Sequence, residues 1–163
     1  MDSLTYVVEP DELAAAWNRH APFVRRFIRR SRAIGALLLV GAALLAASTP
    51  GMAVAMAAAG AGGVLASPFI AQHQNAQLLR GSPTIRHPET VVVDESSVRI
   101  DSQLNGRWTA WSLVGAVEAD RHGVAIIFDG GTRVQWIPAR AFTDPSTQAA
   151  WVEQAQRWRR GEV

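Results

Sequence analysis

The sequence predicts a membrane α-helical hairpin joined to an α+β domain, and three observations lead to this fold class. Residues 33–71 contain no Asp, Glu, Lys, Arg or His. A turn signal, Ser48-Thr49-Pro50-Gly51, interrupts this run near its middle. From Glu89 onward, apolar and polar residues alternate between short turn sequences, which is typical of strands in an antiparallel sheet.

The uncharged run is long enough for two membrane-spanning helices, because one span needs about 20 apolar residues. Adjacent Pro and Gly break a helix, so we expect one helix over about residues 29–47 and another over about residues 51–71. A signal peptide is disfavoured because a polar, acidic segment precedes the run. Two alternatives stay open. One is a hairpin buried in a soluble protein, and the other is a single span with a re-entrant second half.

Basic residues cluster immediately before the first predicted helix, whereas the loop between the two helices has no charge. The positive-inside rule therefore predicts a multi-pass inner-membrane protein with both termini in the cytoplasm. Apolar residues at positions 23, 24, 27 and 28 lie opposite the basic ones on a helix, as in a lead-in helix at a membrane interface. We expect contact with anionic lipid through Arg25, Arg26, Arg29, Arg30 and Arg32.

The chain divides into four predicted segments. Residues 1–22 contain a strand around Tyr6 and a short helix that begins at Pro10 and is interrupted by Pro22. Residues 23–71 form the interfacial lead-in and the transmembrane hairpin. Residues 72–88 are a polar juxtamembrane linker, and residues 89–163 form a cytosolic domain.

The cytosolic domain is predicted to contain six strands in one antiparallel meander, at about residues 90–93, 97–101, 107–111, 113–119, 124–128 and 132–137. Asn105-Gly106 predicts a type I′ turn in it. A final helix is capped by Thr143 or Asp144 and carries an apolar stripe. A bent sheet closed by one C-terminal helix is typical of a pleckstrin-homology-like domain. Such a domain has seven strands, and the N-terminal strand could join the sheet as the seventh.

Two short motifs of this domain resemble those of the YcxB-like proteins of bacteria. Trp111 is followed at three-residue steps by Val114 and Val117, and then by Glu118. The second motif is Trp136-Ile-Pro-Ala-Arg-Ala-Phe142, in which alanine occupies the first of two positions that are basic in the family. The resemblance covers nearly the whole chain. It implies a two-span membrane protein with a C-terminal pleckstrin-homology-like domain, and it implies no activity.

The chain shows no pattern of residues that is typical of catalysis. The four histidines have no metal-ligand spacing, and the checklist of nucleophile, base and orienting group finds no candidates. We therefore expect that the protein is not an enzyme and that it has no catalytic residue, no metal and no cofactor. Most of the six tryptophans fall on predicted core faces, so we expect no nucleic-acid partner. Trp108 or Trp17 could lie near a membrane surface.

Two binding functions follow from these observations. The first is a regulatory adaptor that binds a protein partner at the membrane through a sheet edge or a helix groove. The alternative is a sensor of anionic lipid. The first turn of the domain, residues 94–97, is acidic, so lipid contact is assigned to the arginines before the first membrane helix.

Overall fold

The computed structural model describes residues 2–82, 85, 87–102 and 106–162. Within them the chain forms five α-helices, which are α1 (Pro10–His20), α2 (Pro22–Leu45), α3 (Pro50–Leu65), α4 (Ser67–Arg80) and α5 (Pro145–Arg160). The same residues form seven strands, which are β1 (Asp2–Tyr6), β2 (Glu89–Val93), β3 (Ser97–Ser102), β4 (Gly106–Ala110), β5 (Val114–Asp120), β6 (Gly123–Phe128) and β7 (Arg133–Pro138).

The strands form two antiparallel sheets, so the α+β class of the prediction is confirmed. One sheet has the order β1-β2-β3-β4, and the other has the order β5-β6-β7. Alternation and turn signals predicted β2 to β7 with bounds that agree to within about two residues. The turn signal at Asn105 lies outside the described residues, and β3 and β4 pair on either side of it.

The prediction of one continuous meander is wrong, because the chain changes sheet between β4 and β5. Trp111–Leu113 forms a turn of 3₁₀ helix there, and its helical hydrogen bonding cannot continue a strand ladder. Trp111 is buried, and its indole Nε1 donates a hydrogen bond to the carbonyl of Asp94 at 2.7 Å. This anchor fixes the point at which the chain crosses to the second sheet.

The N-terminal strand joins the first sheet. β1 pairs with β2 from Asp2 opposite Val93 to Tyr6 opposite Glu89. The hydroxyl groups of Thr5 and Thr90 share a hydrogen bond of 2.9 Å across this pair. The four helices α1 to α4 are therefore inserted between two neighbouring strands of one sheet.

The second sheet is covered on both faces, and every residue of β6 is buried. On one face Gln135 of β7 donates hydrogen bonds to Tyr6 Oη at 3.0 Å and to Glu89 Oε2 at 2.6 Å, which links this sheet to the first. On the other face the ring of Trp136 stacks against His20 at the end of α1. The core therefore continues from the first sheet through the second sheet to α1.

Helix α5 begins at the predicted Asp144 cap and covers the free edge of β5. Asp144 is the N-cap and accepts a hydrogen bond from the Thr147 amide at 2.8 Å, while Gly161 ends the helix with a φ of 74°. Gln156 and Arg159 donate to two carbonyls of β5 at 3.0 and 2.9 Å. These side chains occupy the acceptors that an unpaired strand edge would offer to another chain.

The helical hairpin differs from its prediction at both ends. Helix α2 begins at Pro22, so the lead-in and the first predicted helix are one continuous helix. The second predicted helix ends at Leu65 instead of about residue 71, and α4 continues after a bend of 60°. Pro68 explains the break. In a continuous helix it would have no N–H to bond to the Val64 carbonyl, and its ring would collide with that carbonyl.

The tryptophans mostly lie where the core prediction placed them. Trp111, Trp136 and Trp151 are buried, and Trp158 is half-buried with its ring centroid 6.0 Å from that of Trp111. Trp108 is the exception, since 65% of it is exposed on β4.

Glycine allows α2 and α3 to approach closely. A Cβ atom added at Gly35 would lie 2.6 Å from the Gly60 carbonyl oxygen, and one added at Gly60 would lie 2.7 Å from the Gly35 carbonyl oxygen. Such close contact between helix backbones at small residues is typical of helices that pack in membranes. Gly62, which belongs to the same Ala- and Gly-rich stretch, faces open space.

Among the described residues, no single helix combines the length and hydropathy expected of a membrane span. Helices α3 and α4 meet that standard only when they are taken together across their bend.

The contact between Gly35 and Gly60 predicts a difference between two glycine substitutions on one helix. Gly60→Ala should lower the melting temperature of the full-length protein in neutral detergent, since overpacking costs about 1–3 kcal/mol. Gly62→Ala should leave it unchanged or raise it, because alanine favours a helix by up to about 1 kcal/mol over glycine. Thermal unfolding followed by circular dichroism measures both. Equal effects of the two variants would contradict the close helix contact.

Candidate functional site

The break between α1 and α2 places the end of α1 against the second sheet. Ala21 is buried and extended, with φ −71° and ψ 116°, so the two helices meet at an elbow. Pro22 begins α2 because its fixed φ suits the first helical position. The elbow leaves His20 facing β5 and β7.

His20 is the centre of a polar cluster between α1 and β5, which we call the junction and which comprises Arg19, His20, Glu118, Asp120 and Trp136. The His20 side chain is 8% exposed. Its Nδ1 lies 2.9 Å from Glu118 Oε2, and its Nε2 lies 3.1 Å from Asp120 Oδ2. Its ring also stacks on Trp136, with a centroid distance of 5.7 Å. The ring is thus held on two edges and one face.

The charges of the junction favour this arrangement. Each ring nitrogen of His20 lies within hydrogen-bond distance of a carboxylate of β5. Arg19 Nε donates to Asp120 Oδ2 at 2.7 Å, and its guanidinium lies over Trp136. Burial raises the pKa of Asp120, but hydrogen bonds from the His122 amide and from His20, with the charge of Arg19, outweigh burial and hold it below its usual value.

A basic cleft of about 400 Å³ lies beside the junction, between α1, α2 and the start of α4. Three of the five predicted lipid-contact arginines line it, because positions 25, 29 and 32 share one helix face. The other wall carries Asn18, whose Nδ2 donates to the Pro68 carbonyl at 2.9 Å. The bend between α3 and α4 therefore completes the cleft.

The five predicted arginines have different surroundings. All five are exposed, and Arg26 and Arg30 lie on the side of α2 that does not line the cleft. Arg25 Nη2 lies 3.5 Å from Glu118 Oε1, which ties the cleft to the junction. Arg29 and Arg32 form no ion pair or side-chain hydrogen bond with any residue that the structure describes. The cleft thus carries unpaired positive charge.

The predicted apolar face of α2 is divided between two environments, so the interpretation of the whole face as lipid-facing is wrong. Val24 is buried and Ile28 is half-buried against the protein core. Phe23 and Phe27 are 47% and 52% exposed on the adjacent side. The elbow causes this split, since it turns one edge of the apolar face onto the second sheet.

Sequence reasoning missed Arg19 and His20. Pro22 separates them from the arginines of α2 in the sequence, although the elbow brings Arg19 to the same cleft. A sharp turn at Ala21-Pro22 was the one available signal. The two acidic residues that fix them, Glu118 and Asp120, are about a hundred residues away in the chain.

Two other charged side chains of the predicted domain, Asp94 and Arg140, are paired within the protein. Asp94 accepts hydrogen bonds from the Ser96 hydroxyl and amide and from the Ser97 amide, which lowers its pKa and closes the acidic turn. Arg140 makes a two-pronged ion pair with Glu12 and also donates to the Val7 carbonyl. In the described part of the chain, no group of three or more His, Cys, Asp or Glu side chains is arranged to hold a metal ion.

Comparison with known proteins gives no match, whether with family models, with curated proteins or with solved structures. The resemblance to the YcxB-like proteins stays a prediction.

The junction predicts a pH-dependent effect of Asp120→Asn. At neutral pH the variant should lose about 1.5–3 kcal/mol of stability, because hydrogen bonds to a charged partner are lost. The folded-state pKa of Asp120 is lowered, so its contribution is complete above its unfolded pKa of about 3.9 and disappears as the pH falls below it. Chemical denaturation at a series of pH values should show the variant and the unaltered protein converging at acidic pH.

The half-buried Asp101, which pairs with the exposed Arg99 at 2.8 Å, provides the matched control. Asp101→Asn should cost at most about 1 kcal/mol at any pH, as exposed ion pairs do. An Asp120→Asn variant with the same small effect would contradict the role assigned to the junction.

Proposed function

We propose that the α2–α3 hairpin anchors this protein in the inner membrane, with both termini and the two sheets on the cytoplasmic side. The exposed apolar side chains of the hairpin support this, because Leu37, Leu44 and Val54 are each at least 70% exposed. Contiguous apolar surface of this kind on a protein marks contact with lipid or with another protein. The uncharged hairpin turn and the arginines at its base agree with insertion from the cytoplasm.

The hairpin is short for a complete span. The part of α2 beyond Arg32 is about 20 Å long and α3 is about 24 Å long, against about 30 Å of hydrocarbon. A short span is accommodated by local thinning of the bilayer and by long basic side chains that extend to the phosphates. The arginines before residue 33 occupy the position at which such side chains act.

We also propose that the two sheets and α5 form a pleckstrin-homology-like domain of the YcxB-like type. The support is a sheet of four strands, a sheet of three strands and a C-terminal helix packed beside them. In this proposal the membrane hairpin is an insertion between the first two strands of the domain, which keeps the domain at the membrane surface.

The function that the geometry supports best is binding of an anionic lipid headgroup in the basic cleft. This proposal rests on Arg29 and Arg32, which line the cleft. Neither arginine has a carboxylate partner among the described residues. Arginine is well suited to phosphate because its planar guanidinium donates two parallel hydrogen bonds. The cleft lies at the base of the hairpin, where a headgroup from the cytoplasmic leaflet would be within reach.

A second candidate is the protein adaptor, and one surface favours it. A groove of about 690 Å³ runs between α5 and the turn after β5, and Phe142 and Val152 give it apolar walls. Docking by strand addition to the edge of β5 is disfavoured, because α5 occupies two of its carbonyls. An adaptor partner would therefore bind along α5.

Lipid binding in the cleft predicts unequal effects of two double substitutions that remove the same charge. Each basic residue near an anionic surface contributes about 1 kcal/mol, so Arg29→Gln/Arg32→Gln should weaken binding of phosphatidylglycerol roughly 30-fold. The measurement is native mass spectrometry of the full-length protein, titrated with phosphatidylglycerol or phosphatidylcholine in neutral detergent.

The matched control is Arg26→Gln/Arg30→Gln, on the same helix but outside the cleft. It should retain most of the affinity for phosphatidylglycerol. Equal losses in both variants would indicate general attraction to anionic lipid and would contradict a headgroup site in the cleft. Equal binding of phosphatidylglycerol and phosphatidylcholine by the unaltered protein would favour the adaptor function.

A further inference from the structure

Arg133, at the start of β7, contacts β4, and β4 also carries Arg107. The guanidinium of Arg133 lies over the ring of the buried Phe128, 4.3 Å from its centroid. Its Nη2 donates to the hydroxyl of Thr109 at 3.4 Å. These contacts hold the guanidinium in one orientation, with 31% of the Arg133 side chain still exposed.

Arg107 of β4 places a second positive charge beside it. Arg107 is exposed, and no residue that the structure describes forms an ion pair with it. Burial, and then the charge of Arg107, lower the pKa of Arg133, while Asp129 opposes them. Asp129 is the one carboxylate paired with Arg133 in the described residues, at 3.6 Å. Thr109, which accepts a hydrogen bond from Arg133, lies two residues after Arg107 on β4, so the Arg107 and Thr109 side chains share one face of that strand. Two like charges close together repel each other and destabilise the fold unless an anion offsets them.

The turn beside these arginines is fixed in place. Asp129, Gly130 and Gly131 have φ values of 49°, 63° and 95°, which is an unusual conformation for the aspartate. A Cβ atom added at Gly131 would lie 2.6 Å from Cγ of Pro22, so the turn packs directly on the start of α2. The position of Arg133 relative to the helices is therefore determined by this packing.

From these contacts we propose that Arg107 and Arg133 bind a phosphate group, at a site separate from the basic cleft on α2. Arg133 is already oriented by Phe128 and Thr109, and Arg107 is free to close on the ligand. The negative charge of a phosphate group offsets the repulsion between the two arginines, and its oxygen atoms accept hydrogen bonds from both guanidinium groups. The phosphate belongs either to a lipid headgroup at the surface in which the hairpin is anchored or to a soluble phosphate compound.

The test uses the full-length protein in the Arg29→Gln/Arg32→Gln background, in which the first cleft is neutralised. In phosphate-free neutral detergent, Arg107→Gln should raise the melting temperature by about 2–4 °C, since it removes a repulsion. Inorganic phosphate should raise the melting temperature of the protein that retains Arg107. It should not change the melting temperature of the Arg107→Gln protein. Arg107 is exposed on an edge strand, so its replacement is compatible with folding.

Arg121→Gln is the control, because Arg121 is exposed in the turn between β5 and β6 and contacts His122. It should keep the full response to phosphate. A second arm replaces phosphatidylcholine with phosphatidylglycerol in nanodiscs. An Arg107-dependent stabilisation there identifies a headgroup as the source, and a response to inorganic phosphate alone identifies a soluble compound. The proposal is overturned if Arg107→Gln lowers the melting temperature without phosphate, or if neither anion gives an Arg107-dependent shift.

Discussion

The imidazole of His20, held between Glu118 and Asp120, is the interaction on which the arrangement of helices and sheets depends. It is buried, it bonds from both nitrogens, and it stacks on Trp136 of β7. A buried polar group is costly unless it is hydrogen-bonded, and each ring nitrogen of His20 lies within hydrogen-bond distance of a carboxylate. The same carboxylates bind Arg19 and Arg25, so the end of α1, the start of α2 and the sheet are fixed together.

The insertion of four helices between β1 and β2 makes this attachment necessary. The chain leaves the first sheet at Tyr6 and returns opposite it at Glu89, where Gln135 bonds to both side chains. Burial raises the pKa of the Glu89 carboxyl, and the hydrogen bond from Gln135 opposes this shift. The junction and this second link hold the base of the inserted helices from two sides. The basic cleft and the Arg107–Arg133 pair both lie beside that base, and the proposed membrane anchor would bring lipid phosphate groups to it.

Local patterns predicted most of the strands and helices, because alternation, caps and turns are properties of neighbouring residues. Asp144 marks the start of α5 in this way. Features that depend on distant contacts were missed. The sheet divides at Trp111 because its indole bonds to Asp94, and no glycine or proline signals the change. Pro68 signals the bend in the sequence. It lies inside the uncharged run, however, and that run predicted one continuous helix over about residues 51–71. Arg25, Arg29 and Arg32 were predicted to contact anionic lipid. Arg19 lines the same cleft only because of the elbow at Ala21.

Hydrogen exchange of the His20→Phe variant tests the central role of the junction most directly. Phenylalanine keeps the stack on Trp136 and removes both hydrogen bonds, so the comparison isolates the paired carboxylates. We expect amides of residues 14–28 and 118–120 to exchange at least about tenfold faster than in the unaltered protein, which corresponds to about 1.4 kcal/mol. Amides of β2 and β3 should be unchanged. Unchanged exchange at the junction would contradict the account, because the helices would then be held to the sheets without the hydrogen bonds of His20.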